Sequence, residues 1–286
     1  MHTFAYERPT QLADAVALLQ QHGPAARPLA GGTDLLIRLR DGTLRPSVVI
    51  DVKRIPELGP VIREEGGLLT IGATTVMTDI AADLRVRRHF PALAAAAAIV
   101  GAVQIRNRAT LAGNICNASP AADTAPPLLV YGAQVVAVGP EGRRSIPLMS
   151  FFVRSGQTVL QLGELVAAIE LPLPLRRMGA VHVRRTRRRG HDLASVTLCC
   201  GVDEAGVTRL AYGSVGPRPL LLVDESGILA APAVSEDAKR EILEQMFADA
   251  APSPRSMRAS PEYRLAMLRV LGARALHAAI DRLAEG

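Results

Sequence analysis

The sequence contains no tryptophan, and aromatic residues make up only 3% of its 286 positions. So few rings leave little for single-stranded nucleic acid to stack on, and finger and basic-zipper spacings are missing as well, so no nucleic-acid partner is expected. Lysine occurs only at Lys53 and Lys239, so nearly all of the 33 basic residues are arginine, and against 27 acidic residues the formal charge is +6. An excess of this size suits ordinary composition, an anionic cofactor or an acidic partner surface. Cysteine stands only at Cys116, Cys199 and Cys200, with no C-x-x-C pair for zinc or an iron–sulfur cluster. The histidines (His2, His22, His89, His182, His191 and His277) show no metal-ligand spacing, so no metal site is expected. No run approaches the ~20 apolar residues of a bilayer span; the most apolar stretch, 93–103, is alanine-rich and too short. Residues 1–8 lack the basic and then apolar pattern of an export signal. With few cysteines and a reducing compartment as the default, a cytoplasmic location is expected.

What is present is a composition able to fold: 49% hydrophobic and 21% charged residues. The length predicts one large or two modest domains. The first part alternates strand and helix. Phe4-Ala5-Tyr6 reads as a strand. A helix starts at Pro9-Thr10, with Leu12, Ala15, Val16 and Leu19 on one face and Gly23 as its stop. A strand over 27–30 runs into Gly31-Gly32, Thr33 is placed to cap a helix carrying Leu35, Leu36 and Leu39, and 48–52 reads as a buried strand. A second block holds a strand at 68–71, helices at 77–84 and 91–100, a long loop at 101–127, a hairpin over 134–146 and a strand at 164–171. Past Pro174, an antiparallel meander over 180–187, 194–202 and 207–215 precedes helices at 236–249 and 261–284. Strands followed by helices imply an α+β arrangement. Cys199 and Cys200, adjacent in one strand, would face opposite sides of it.

Two segments carry the chemistry. Leu29-Ala30-Gly31-Gly32-Thr33-Asp34 and Thr110-Leu111-Ala112-Gly113-Asn114 each join apolar sequence to a glycine turn. Such turns bare consecutive backbone N–H groups in a nest that suits phosphate oxygens, and glycine lets backbone approach a ligand closely. Two of them could clamp a pyrophosphate from both sides, a helix starting at Thr33 adding its positive end. The Asp34 carboxylate would repel phosphate, so it is expected to turn away and accept from backbone N–H groups at the helix start. Neither segment is a P-loop or a G-x-G-x-x-G fingerprint. No Ser/His/Asp arrangement or carboxylate pair stands out, so no catalytic side chain is expected.

With Gln104-Ile105-Arg106-Asn107 before the second segment and Ser119-Pro120-Ala121-Ala122-Asp123 after it, the chain resembles the FAD-binding medium subunit of molybdenum hydroxylases. That family includes carbon monoxide and xanthine dehydrogenases. The resemblance continues through Phe4-Ala5-Tyr6 with Pro9, Gly72-Ala73-Thr74-Thr75, Phe151-Phe152, Gly163-Glu164-Leu165, Ile169-Glu170-Leu171-Pro172, Arg187-Arg188, Asp192-Leu193-Ala194 and Ser260-Pro261-Glu262-Tyr263-Arg264.

The resemblance implies an α+β fold: a two-part FAD-binding domain of the vanillyl-alcohol-oxidase (PCMH) type over 1–175, divided near 57, then an antiparallel sheet with helices over 176–286. It implies that Arg27, Pro28, Leu29, Ala30, Gly31, Gly32, Thr33 and Asp34, with Thr110, Gly113 and Asn114, hold the FAD pyrophosphate. Asp123 would accept from a ribose or ribityl hydroxyl. Val100, Gly101 and Ile105 would pack near the adenosine half. Cys116, Leu193 and Arg184 would lie by the isoalloxazine, and Ala109 and Val166 would also line the cofactor. Three positions depart from the family pattern: Ala112 where many relatives have glycine, Arg184 where they carry lysine, and Leu193 where some have tyrosine.

The resemblance further implies partners. A large subunit would carry the molybdenum–pterin centre and a small one two [2Fe–2S] clusters, in a complex of two heterotrimers. Electrons would pass from the clusters to the flavin and on to a quinone, NAD or oxygen. Other readings are a stand-alone flavin reductase related to the UDP-sugar reductases, and an assembly subunit without catalysis.

Overall fold

The computed structural model describes residues 2–188 and 190–285. Strand β1 (Ala5–Glu7) leads to α1 (Leu12–His22), which buries Ala15, Val16 and Leu19. Gly23 ends that helix at φ +53°, turning its N–H back onto the Leu19 carbonyl. Next come β2 (Ala26–Leu29), α2 (Leu35–Arg40) and β3 (Val48–Asp51). The three strands form a parallel sheet in the order β1-β3-β2. The central strand reads Val48-Val49-Ile50 without alternation because both of its faces are covered. The turn after β2 therefore sits at the carboxyl edge of a parallel sheet, the edge where loops in such sheets meet ligands.

Two strands follow, β4 (Ile62–Glu65) and β5 (Leu68–Gly72), and then six short helices: α3 (Met77–Ala82), α4 (Leu84–His89), α5 (Pro91–Ala98), α6 (Val103–Arg106), α7 (Leu111–Cys116) and α8 (Ala125–Val130). The stretch 101–127, expected as a loop, thus holds α6, α7 and the start of α8, about half of its residues being helical. Its helices are too short and too rich in Gly, Asn and Pro to declare a period; capping and packing hold them. The hairpin β6 (Gln134–Gly139) and β7 (Gly142–Pro147) precedes α9 (Leu148–Phe151), the small pair β8 (Phe152–Arg154) and β9 (Gln157–Thr158), and β10 (Leu165–Pro172). The second sheet is antiparallel in the order β4-β5-β10-β6-β7.

The third sheet takes its strands in chain order: β11 (Met178–Arg185), β12 (Val196–Asp203), β13 (Thr208–Gly213) and β14 (Leu220–Asp224). Helices α10 (Glu236–Met246) and α11 (Pro261–Glu285) follow. Period-two alternation splits this sheet between two cores. Cys199, Ala180 and Ala211 join the core shared with α5 and α8. Cys200, Val181, Val196, Leu198, Leu210 and Tyr212 face α11. That helix crosses tightly: a β-carbon on Gly179 would lie 2.0 Å from the Ala279 carbonyl oxygen. Strand alternation continued through this arginine cluster would put Arg184 and Arg188 on one face and Arg185, Arg187 and Arg189 on the other, but β11 stops at Arg185 and Arg188 lies in a bend beyond it. Arg189 lies outside the described residues.

Candidate cofactor site

The two glycine segments meet. A β-carbon on Gly31 would lie 2.1 Å from the Arg108 carbonyl oxygen and 3.1 Å from Ala109 Cα, so backbone packs against backbone at this point. Gly32 follows at φ +78°, a conformation that exacts strain from any residue with a side chain. Among the described residues, the N–H groups of Gly31, Gly32, Thr33 and Asp34 donate neither to backbone acceptors outside the regular elements nor to side chains. Four consecutive donors free of internal partners leave hydrogen-bonding capacity that an anion could take up.

The second segment is fixed from three directions, and the expectation that it is a turn baring consecutive N–H groups is corrected: it opens α7, and the N–H groups of Leu111, Gly113 and Asn114 donate to Thr75, Thr110 Oγ1 and the Thr110 carbonyl. Met77 N–H donates to the Ala109 carbonyl at 2.9 Å, and Leu111 N–H to Thr75 at 3.3 Å. Thr110 caps α7, its hydroxyl accepting from Gly113 N–H at 3.1 Å. Thr124 Oγ1 donates to Asn114 Oδ1 at 2.7 Å, which ties the segment to Asp123 next door.

Two expectations about the first segment are corrected. Thr33 is not the helix cap; Asp34 occupies that position, and its side chain makes no capping bond. Its carboxylate accepts from Asn117 Nδ2 at 3.2 Å rather than from backbone N–H groups, because the second segment brings an amide within reach.

Asp123 is buried, and Arg184 Nη1 donates to its Oδ2 at 2.6 Å. Its Oδ1 is buried and has no hydrogen-bond partner among the described residues. Burial pushes the carboxyl above its usual range, while the Arg184 guanidinium pulls the other way. His182 Nε2 lies 2.9 Å from Thr197 Oγ1 and 3.9 Å from Asp123 Oδ1. Burial, reinforced by Arg184, lowers this histidine to about 3, so the ring is neutral at physiological pH. Cys116 stands at the end of α7; burial pushes its thiol up to about 12, so it is present as the uncharged thiol.

The remaining residues sort by contact. Gly101, at φ +53°, packs on the Ile105 side chain, beside half-buried Val100, and Ile105 accepts from Ala109 N–H at 2.7 Å, one turn before the second segment. Leu193 is exposed; its neighbour Ala194 accepts from Ser214 Oγ at 2.9 Å, and Ser214 N–H donates to Pro120 at 2.7 Å, three residues before Asp123. Val166 is buried in β10, against which α7 packs. Leu29 and Ala30 are half-buried and Pro28 exposed where β2 leaves the sheet. Arg27 stands apart, its guanidinium turned onto the Pro24 and Ala26 carbonyls. Sequence reasoning missed Asn117, Arg38, His182 and Thr197; their roles depend on contacts across 15 to 83 residues, for which a single sequence carries no local signal.

A run of free N–H groups, a glycine where two backbones touch and a buried carboxylate oxygen without a donor among the described residues together fit a dinucleotide with a diphosphate and sugar hydroxyls. This is the class of site that the fold and its loops define. The comparisons agree. Residues 2–174 match the FAD-binding domain of molybdopterin dehydrogenases, and residues 182–279 the C-terminal domain of the carbon monoxide dehydrogenase flavoprotein. The chain is 34% identical to the xanthine dehydrogenase FAD-binding subunit of Escherichia coli over 98% of its own length and 97% of the relative's. It is 33% identical to the carbon monoxide dehydrogenase medium chain of Hydrogenophaga pseudoflava, covering 98% of each. A solved carbon monoxide dehydrogenase from that organism superposes with a TM-score of 0.89 at 32% identity, covering 98% of each chain. Quinoline 2-oxidoreductase from Pseudomonas putida superposes with a TM-score of 0.85 at 25% identity, covering 98% of this chain and 97% of that one. The chain therefore belongs to the FAD-binding medium subunits of the carbon monoxide and xanthine dehydrogenase family, oxidoreductases whose cofactor is FAD. Among the described residues no helix is long and apolar enough to cross a membrane.

Proposed function

We propose that this chain takes electrons from [2Fe–2S] clusters of a small partner subunit and passes them to an external acceptor, while a large molybdenum–pterin subunit oxidises the substrate. The reading places the work in the cytoplasm and in a complex of two heterotrimers. It divides the chain near 175 into an FAD-binding part, with lobes meeting near 57, and a C-terminal part. FAD supplies the exchange between single-electron donors and two-electron acceptors. This chain's residues position it. The N–H groups of 31–34 and the segment at 109–114 grip the diphosphate, with Arg27, Pro28, Leu29 and Ala30 forming the strand end beneath. Val100, Gly101 and Ile105 flank the adenosine half, and Asp123 Oδ1 accepts from a sugar hydroxyl. Cys116, Val166, Arg184 and Leu193 border the ring.

The observation that carries this reading is the backbone contact of Gly31 with Arg108 and Ala109, which brings together two glycine segments that lie far apart in sequence. The test is the visible spectrum and metal content of the full chain purified from its native source. Flavin absorption near about 450 nm, about one FAD per chain, and co-purifying iron and molybdenum are expected. Flavin without metal-bearing partners would favour a stand-alone reductase, and a colourless protein an assembly role.

A further inference from the structure

The Asp34 carboxylate sits in the very turn that is built to receive phosphate, where two like charges at close range repel strongly. The structure shows what restrains it. Asn117 Nδ2 donates to Asp34 Oδ1 at 3.2 Å, and Asn117 Oδ1 accepts from Arg38 Nη2 at 2.5 Å. Asp34 and Arg38 belong to the first glycine segment and its helix; Asn117 is the C-terminal cap of the helix that the second segment opens. Among the described residues these are the only side-chain hydrogen bonds between 26–40 and 101–124. The amide is itself held in place: Asn117 N–H donates to Gly113 at 3.0 Å, and Ala118, buried at φ +46°, accepts from Gly156 N–H at 3.1 Å.

We infer that Asn117 is a positioning residue for the cofactor's diphosphate, its carboxamide holding the Asp34 carboxylate away from the nest while joining the two loops. This rests on the reading that the diphosphate lies between those loops. An amide is the group that suits the task, because it donates to a carboxylate with one atom and accepts from a guanidinium with the other. A carboxylate in its place could satisfy Arg38 but would face Asp34 as a like charge.

The test is FAD affinity and release rate, measured by fluorescence on the full chain with whatever subunits accompany it. Asn117→Asp is expected to weaken FAD binding about tenfold, chiefly through faster release, with an unchanged melting temperature of the flavin-free protein. Asp34→Asn alone is expected to bind at least as tightly as the native chain. The double exchange Asp34→Asn with Asn117→Asp is expected to recover native affinity to within about threefold, since the amide at 34 then donates to the carboxylate at 117. Arg38→Met, which removes one bond of the relay and adds no charge, is expected to weaken binding about threefold. Native affinity in Asn117→Asp, or no recovery in the double exchange, overturns the inference while leaving the cofactor site standing. A native chain that binds no FAD overturns the site as well.

Discussion

Arg184 and Asp123 form a salt bridge at 2.6 Å between the third sheet and the loop that follows α7, and only one of the two carboxylate oxygens takes part. Removing the guanidinium with Arg184→Met leaves a buried carboxylate unpaired. The loss is expected to be about 2 kcal/mol, below the usual range for a fully buried pair because the arginine is partly exposed. The pH dependence has a definite sign. Asp123 is already raised above its ordinary value, and losing Arg184 raises it further, so the folded variant takes up a proton at a higher pH than the unfolded chain does. The same loss lifts a repulsion from His182, which then protonates more easily in the folded state. Both effects shrink the variant's deficit as pH falls. Thermal melts from pH 7 to about pH 5 should show the gap between variant and native chain narrowing; a constant gap would contradict this account of the pair.

Gly31→Ala should be far more costly than its single methyl suggests. The added carbon would overlap the Arg108 carbonyl, which is backbone and cannot swing aside. Separation of the two loops, loss of FAD and a destabilisation of about 3 kcal/mol are expected. Gly66→Ala is the control: its φ is +59° but nothing lies within 4 Å, so about 1 kcal/mol of backbone strain and no effect on flavin content are expected. Equal effects of the two substitutions on flavin would count against the contact as the site's keystone.

Arg264 is buried and, among the described residues, pairs with no carboxylate. Its guanidinium donates instead to the carbonyls of Ser195 at 2.9 Å and Ser214 at 2.6 Å and to Ser256 Oγ at 2.5 Å. Ser214 needs such support, since it holds φ +67° without being glycine. Arg264→Met should cost about 3 kcal/mol by leaving these acceptors unsatisfied, and Arg264→Lys, which lacks the planar fork, should recover only part of that. Chemical denaturation would measure both.

The parts of the fold that declare themselves locally were legible in the sequence. The face of α1, its Gly23 stop and the unbroken apolar run of β3 follow from spacing and composition. Strand β4 was not legible, because Arg63, Glu64 and Glu65 are exposed and give no alternation. Helix α7 was hidden by its own Gly113 and Asn114; the Thr110 cap and packing on β10 hold it helical. The site followed the same division. Gly31 and Gly32 were visible as a turn, Gly113 proved to lie inside a helix, and the orientation of Asp34 depended on Asn117, a residue with nothing in its neighbourhood to mark it.

The central claim is that the two glycine segments close on the FAD diphosphate, and Gly32→Val tests it most directly. At φ +78° a branched side chain would be strained and would crowd the Leu29 and Leu36 side chains, forcing the turn out of shape. FAD content per chain, read alongside far-ultraviolet circular dichroism, should fall below about a tenth of the native value while the fold persists. A variant that keeps about one FAD per chain would contradict the claim.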